Sequence, residues 1–245
     1  FNISGNVTRI EKLNVAEGQS AGTDVMRLVA GDRFGNIWGY KTNGIAQLGE
    51  DLTQVAQMTS RPMVAGEQKY QDINNDGVIN LEDQTVLGNV LPDATFGFNN
   101  TFRIRNFNIN LFLEGSIGNE VINYTRKELE SMSGAQNNIT TVLDRWTPSN
   151  PDATLPRADA VPASTAFSDR WVEKGSYLRI RDLTFGYTVP RKVLKNIASI
   201  NVFLSFENLY TFTKYSGNDP SIGGGVDRNL YPTSRKCSLG INLKF

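Results

Sequence analysis

Between Asp72 and Asp83 the chain reads DINNDGVINLED, a run dense in side chains that carry oxygen. Counted from Asp72 as the first residue, Asn74 is third, Asp76 fifth, Gly77 sixth, Val78 seventh, Asn80 ninth and Asp83 twelfth. This is the ligand schedule of a helix-flanked calcium loop, in which oxygens at those positions surround a hard cation and a glycine makes the sharp turn. Val78 contributes a backbone carbonyl in this scheme, Asn80 acts directly or through water, and Ile79 is an apolar plug. Asp83 replaces the usual glutamate, and its shorter arm grips an ion less readily with both oxygens. The expectation is a structural Ca2+ site with ligands Asp72, Asn74, Asp76, Val78, Asn80 and Asp83. A polar Asp/Asn/Gly turn without an ion is the competing reading. A calcium sensor needs paired helices that change angle, whereas Pro62 and Gly66 precede this loop and Gly88 and Pro92 follow it.

Little else in the chain points to chemistry. There is no histidine, so the commonest general base and zinc ligand is missing. Cys237 is the single cysteine and forms no internal disulfide. Serines, aspartates and glutamates are plentiful, but none has a His or Cys partner beside it, and no catalytic residue is assigned. Gly223–Asn229 (GGGVDRN) is glycine-rich but lacks a following Lys-Ser/Thr, so it reads as a flexible loop and not a phosphate cradle. The 25 basic and 25 acidic residues balance, which gives no argument for nucleic acid.

The elements that must hold the Asp72–Asp83 loop are strands. Phe96, Phe98, Phe102 and Ile104 alternate with Thr95, Gly97, Thr101 and Arg103. After a turn at Arg105–Asn106, Phe107, Ile109, Leu111 and Leu113 alternate with Asn108, Asn110 and Glu114, completing a hairpin of period two. Ile200, Val202, Leu204, Phe206, Tyr210 and Phe212 repeat the pattern, as do Cys237, Leu239, Ile241, Leu243 and Phe245. Over Ser176–Val189 the apolar phase changes between Ile180 and Leu183, which predicts a β-bulge near Arg181–Asp182. Phe1–Leu13 also reads as a strand.

Such strands suit a soluble sandwich or an outer-membrane barrel with its apolar face on lipid. Three features favour the barrel. The alternating runs reach the roughly 9–11 residues that cross a bilayer at a tilt. A final strand ending on an aromatic, Phe245, resembles the assembly signal of bacterial outer-membrane barrels. Connections alternate between short (Arg105–Asn106, Pro190–Ala198) and long (Lys41–Pro92, Gly118–Gly175, Thr213–Arg235), as periplasmic turns and outer loops do. Within the long loops, short helices are predicted over Ala46–Met58, Asn119–Met132 and Ile139–Trp146. Trp38, Tyr40, Trp146, Trp171 and Tyr177 read as loop packing, and Tyr187, Tyr210, Phe212 and Phe245 as an aromatic girdle. Arg103, Arg105, Arg179 and Arg181 read as paired with acidic groups of a plug or solvated, with substrate binding in the lumen as the alternative. The chain starts without Met or signal peptide and is expected to be a piece of a longer one.

Segments in order carry a family resemblance: GDRFGNIWGYKTNGI (Gly31–Ile45), KYQDINNDGVINLEDQTVLGN (Lys69–Asn89), PDATFGFNNTF (Pro92–Phe102), DRWTPSNPDATLPR (Asp144–Arg157), SYLRIRDLTFGY (Ser176–Tyr187) and the terminal LGINLKF. The chain resembles the C-terminal barrel portion of a SusC/RagA-type TonB-linked outer-membrane transporter of Bacteroidetes. The resemblance implies an all-β fold, part of an antiparallel transmembrane barrel of about 22 strands; the calcium loop read from its ligand order, within residues 69–89, falls in one of the outer loops. It implies import of oligosaccharides or peptides, not catalysis, in the outer membrane of a Gram-negative bacterium. It implies as partners the remaining barrel and plug, TonB, and a SusD-like surface lipoprotein. The alternative is a secreted, calcium-stabilised β-sandwich that binds carbohydrate. A glycan-degrading enzyme is a third reading, carried by no identified carboxylate pair.

Overall fold

The computed structural model describes all residues except 15–18, 21–24, 59–60, 133–136, 159–165, 195–198 and 245. In chain order its strands are β1 (Asn2–Ser4), β2 (Gln19–Ser20), β3 (Arg27–Leu28), β4 (Asn36–Gly39), β5 (Thr42–Ile45), β6 (Gln68–Tyr70), β7 (Thr85–Asn89), β8 (Ala94–Ile104), β9 (Phe107–Ile117), β10 (Glu120–Asn123), β11 (Val172–Lys174), β12 (Tyr177–Thr188), β13 (Ser199–Thr213), β14 (Val226–Asp227) and β15 (Lys236–Lys244). One α-helix, α1 (Tyr124–Leu129), is present among the described residues.

The largest sheet runs β1-β8-β9-β12-β13-β15, with every neighbour antiparallel. Its register follows from the alternation, because a slip of one residue would turn every side chain to the wrong face. Phe102, Ile109, Phe185, Leu204 and Leu239 form one row across five strands. On the opposite face, Thr101, Asn110, Thr184, Ser205 and Ser238 form the matching polar row. Thr101 donates to Asn110 Oδ1 at 2.8 Å, and the Thr184 and Ser205 hydroxyls bond at 3.0 Å. The predicted bulge lies between Ile180 and Asp182 in both pairings of β12. It lets Ile180 and Leu183 share the apolar face despite their odd spacing, and Asn208 in β13 takes φ +51° beside it.

Two glycines of this sheet lie against aromatic rings of the neighbouring strand. Gly115 lies opposite Phe96 and Gly240 opposite Phe203. A Cβ built on either glycine would fall 2.3 Å from the partner ring, so each ring lies flat over bare backbone.

The connections segregate by length. Residues 105–106 and 189–198 join strands at one end, and residues 5–93, 118–176 and 214–235 at the other. The hairpin turn at Arg105–Asn106 is as predicted, with Arg105 at φ +54°. The strand expected over Phe1–Leu13 is shorter than its pattern: pairing stops at Ser4. Gly5 packs against the Asp93 carbonyl, and the chain leaves the sheet there.

The three long connections pack into a second layer, and the buried apolar core lies there. Among the described residues, every buried hydrophobic side chain falls between Val25 and Val90, between Val121 and Trp171, or at Tyr215. None lies in the long strands β8, β9, β12, β13 or β15. Val25, Ile37, Val90 and Ile122 form one cluster, with Phe167, Val172 and Val226 against it. Tyr40, Tyr70 and Ile79 form another. Little sheets link segments far apart in sequence: β4 with β7, β5 with β6, and β10 between β11 and β14.

These pairings replace most of the predicted helix. Ala46–Met58 holds only the short 3-10 turn Leu52–Gln54, Asn119–Met132 opens as β10 before α1, and Ile139–Trp146 holds a 3-10 turn at Thr140–Asp144. Isolated turns of this length have too few internal hydrogen bonds to persist alone, so contacts between loops decide their form. Gly223–Asn229 is likewise no loose loop. Val226–Asp227 pairs parallel to β10, and buried Asp227 accepts from the Tyr215 hydroxyl at 2.5 Å.

Candidate functional site

In the Asp72–Asp83 loop the side chains organise the backbone first. Asp72 Oδ1 accepts from the N–H groups of Asn75 (2.7 Å) and Asp76 (3.3 Å), and its Oδ2 from that of Gly77 (2.8 Å). Asn74 Oδ1 accepts from Asp76 N (3.1 Å) and Asp76 Oδ1 from Val78 N (2.8 Å). Each is an Asx turn, the local bond that makes Asp and Asn favour tight loops. Asn75 and Gly77 take φ +60° and +83°, left-handed values that Asn and Gly tolerate best.

The loop is fixed at both ends. Ile79 is buried against Tyr40 and Tyr70, and its N–H donates to Gln57 O at 3.0 Å. Asp83 is fully buried. Its Oδ1 accepts from Ile73 N and its Oδ2 from Asn80 N, both at 2.8 Å, while Asn80 Oδ1 accepts from Glu82 N. Burial pushes the Asp83 carboxyl up, but backbone donors at Asn80, Ile73 and Asn74 and contact with the Asp72 side chain outweigh it and hold it below the ordinary carboxylate value.

The six expected ligands therefore follow one another around a defined turn, and Asp72 and Asp83, its two ends, lie in contact. They are not closed around one point. Asn74 Nδ2 donates to Asp76 Oδ2 (3.0 Å) and Glu82 Oε2 (3.2 Å), bridging two carboxylates. Among the described residues no three Asp, Glu, Cys or His side chains converge as a metal centre. Binding in the expected scheme requires Asn74 to turn its amide so that oxygen faces inward. The chemistry of the donors, all oxygens on a turn with two carboxylates already touching, fits a hard cation such as Ca2+.

The polar face of the sheet carries a charged cluster that the sequence placed only in part. Arg179 is buried; its Nε donates to Thr211 Oγ1 at 2.9 Å, its Nη2 meets Asp219 Oδ1 at 2.5 Å, and its Nη1 lies 3.6 Å from Glu114. Arg179 thus has its carboxylates within this chain, where sequence reasoning looked to a plug or to solvent. Arg181 is more exposed, donating to Asn208 Oδ1 at 2.9 Å.

A second cluster lies among the long connections. The guanidinium carbons of Arg126 and Arg170 sit 5.7 and 4.9 Å from the ring centroid of Trp171, which is buried. Arg126 is neutralised by Glu130 (3.2 Å) and Glu173 (2.8 Å). Arg170 and Thr154 line two adjoining clefts, of about 490 and 350 Å³. Sequence analysis singled out neither Arg170 nor Asp219. The Arg-Trp dipeptide at 170–171 was the only available signal for the first, and none marks the second. Trp146, Trp171 and Tyr40 are buried as expected for loop packing. Tyr187, Tyr210 and Phe212 are exposed on the apolar face, with ring pairs Phe107–Tyr187 and Tyr210–Phe212 at 4.9 and 4.7 Å; Phe245 lies outside the described residues.

Comparison with known proteins gives a consistent picture. No family model matches the chain. "TonB-dependent receptor P3" of Formosa agariphila is 32% identical over 100% of the chain, and "TonB-dependent receptor P26" of the same organism is 30% identical over 96%. "TonB-dependent receptor SusC" of Bacteroides thetaiotaomicron is 23% identical over 100% of the chain. These matches cover 26%, 25% and 24% of the relatives, so the chain spans about a quarter of their length. Among solved structures, one described as "Structure of the RagAB peptide transporter" superposes with a TM-score of 0.80 at 23% identity, over 99% of this chain and 26% of that one. The RagAB importer in its "closed-closed" state gives 0.74 over 95% of this chain and 25% of that one.

Proposed function

Because the chain belongs to the SusC/RagA-type TonB-dependent receptors, we propose that it forms part of the wall and outer loops of an importer in the outer membrane of a Gram-negative bacterium. The importer takes up large nutrients, oligosaccharides or peptides, using energy delivered through TonB. A SusD-like surface lipoprotein closes over its mouth, and the rest of the barrel and the plug complete the strand edges at β1 and β15. No reaction is assigned to it.

The observation that carries this reading is the unmatched apolar face of the six-stranded sheet. Leu239, Ile241, Leu243, Phe102, Ile104 and Phe107 are all exposed, Leu239 at 74%. Contiguous apolar surface on this scale is untenable in water and is what lipid accepts. A secreted β-sandwich would cover that face with a second sheet, and among the described residues no sheet packs there. The polar row at Thr101, Asn110, Thr184 and Ser205 then faces the lumen, and the three long connections face outward.

The test is uptake. Cells carrying the full-length receptor are given labelled oligosaccharide or peptide pools, with TonB intact or deleted, and the receptor is fractionated. TonB-dependent accumulation and extraction only by detergent support the proposal. A receptor that leaves the membrane in plain buffer, or uptake unchanged by its deletion, would sink it.

The Asp72–Asp83 loop is proposed to hold a structural Ca2+ through Asp72, Asn74, Asp76, Asn80, Asp83 and the Val78 carbonyl. The contact between the Asp72 and Asp83 carboxylates and the Asx turns that pre-form the loop support this. The ion would join the two ends of the loop just before the chain enters β7 and β8.

A further inference from the structure

We propose that Arg170 is a recognition residue for a carboxylate on the imported molecule. The inference rests on the importer reading and narrows its substrate class. Unlike Arg126 beside it, which meets Glu130 and Glu173, Arg170 lacks an acid. Among the described residues no carboxylate lies within ion-pair distance of it, and its one hydrogen-bond acceptor is Gln68 Oε1 at a long 3.5 Å. A guanidinium offers five donors in a planar fork. Leaving most of them unmatched by protein in a half-buried site is costly unless water or a ligand supplies acceptors. Burial pushes Arg170 below the ordinary arginine value, and the positive charge of Arg126 acts the same way against the pull of Glu130.

The neighbouring acids are already committed. Glu130 is held by Arg126 and Thr141, and Asp144 accepts from Asn150 Nδ2 at 2.9 Å. Asp169 accepts from the N–H and hydroxyl of Thr42 at 3.1 and 2.9 Å. The free positive charge at the junction of the two clefts is therefore that of Arg170. Its guanidinium carbon lies 4.9 Å from the ring centroid of buried Trp171, a cation–π contact that helps hold the side chain in place. The exposed Thr154 hydroxyl beside it has no partner among the described residues and adds a donor. A rigid planar fork with a hydroxyl next to it matches a carboxylate, bound bidentately, better than a neutral sugar or amide. A peptide C-terminus and a uronic acid present the same group.

The experiment uses the full-length receptor in detergent and calorimetric titration with two matched pairs. These are N-acetyl-trialanine against its C-terminal amide, and trigalacturonate against galactotriose. The proposal expects one acid to bind about tenfold to a hundredfold more tightly than its neutral partner. Arg170→Gln should abolish that preference and leave the thermal midpoint near that of the parent. Arg170→Lys should keep the charge and recover only part of the preference. Thr154→Val, on the cleft rim, should weaken acid binding several-fold and serves as the probe if Arg170→Gln does not fold. Which pair shows the preference identifies the source of the carboxylate. Equal binding of acid and neutral partner by the parent, or a preference that survives Arg170→Gln, overturns the assignment. Either result leaves the importer reading to be decided by the TonB-dependent uptake measurement.

Discussion

Arg179 Nη2 stands 2.5 Å from Asp219 Oδ1, and this ion pair fastens wall strand β12 to the connection 214–235. Asp219 also accepts from Ser221 N at 2.9 Å, Ser221 Oγ at 2.6 Å and Thr233 Oγ1. Burial pushes its carboxyl up, but the bonds from Ser221, Thr233 and Arg179 outweigh this and bring it down to about 2 from an ordinary 3.8. The folded value is the lower one, so the stabilisation is complete above the ordinary value and is lost as pH falls towards about 2. It is on the order of 2 kcal/mol. Pepsin digestion of the full receptor should leave 214–235 intact at pH 4 and cut it near pH 2. Asp219→Asn should be cut at both. Equal cutting of the parent at the two pH values would contradict the argument. Arg179→Ala should cost roughly 3 kcal/mol, because it leaves Asp219 in a partly buried site without its cation and Glu114 with Arg181 alone.

Gly240 and Gly115 are the wall's points of closest approach to aromatic rings. Gly240→Leu places a side chain where Phe203 lies and should cost about 1–3 kcal/mol in urea titrations of the barrel. Phe203→Ala alone should also destabilise, by exposing the glycine backbone and losing ring contact. The double variant should be less destabilised than the sum, a coupling that only contact produces. Additive costs would show that ring and glycine do not meet.

Lysine scanning of β15 separates its two faces. Leu239→Lys puts a charge beside Leu204, at the end of the apolar row, and should cost about 2–4 kcal/mol if that row lies near the bilayer midplane. Ser238→Lys, one residue away on the polar row, should cost under about 0.5 kcal/mol. Folding yields into liposomes read the difference, and equal yields would mean that β15 does not have a lipid face.

Calcium should stabilise the full receptor by an amount that rises with the logarithm of its excess over the dissociation constant, about 2.7 kcal/mol at a hundredfold excess. Chelation should lower the thermal midpoint and open residues 41–92 to protease. Asp76→Asn removes a charged ligand but keeps an oxygen for the Val78 N–H, so it should weaken the calcium response while leaving the chelated protein near its parent. A parent indifferent to both calcium and chelator would remove the ion from the account.

The wall was legible in the sequence because its rule is local. A period of two, one phase change at Ile180–Leu183 and one short turn at Arg105–Asn106 give the strands, bulge and hairpin without reference to anything distant. The loop layer was not legible, because its rule is non-local. The Tyr40–Ser168 bridge, the Val226–Asp227 pairing with β10 and the Gln57–Ile79 hydrogen bond join segments with no shared pattern. Helical spacing in Ala46–Met58 was overridden by those contacts. The ligand order of Asp72–Asp83 could be read as text, whereas the lack of an acid beside Arg170 depends on where Glu130, Asp144 and Asp169 find their own partners.

The placement of the buried core has a calorimetric consequence. Unfolding raises heat capacity chiefly when apolar groups pass into water. On the importer reading, side chains such as Leu204 and Leu239 face hydrocarbon in the folded barrel, whereas Val25, Ile37, Val90 and Ile122 are sheltered by protein alone. Opening of the loop layer, with the wall left standing, should therefore carry most of this chain's heat-capacity increment. The outer loops should show the curved temperature dependence of a small water-soluble domain, riding on a wall whose stability varies far less with temperature.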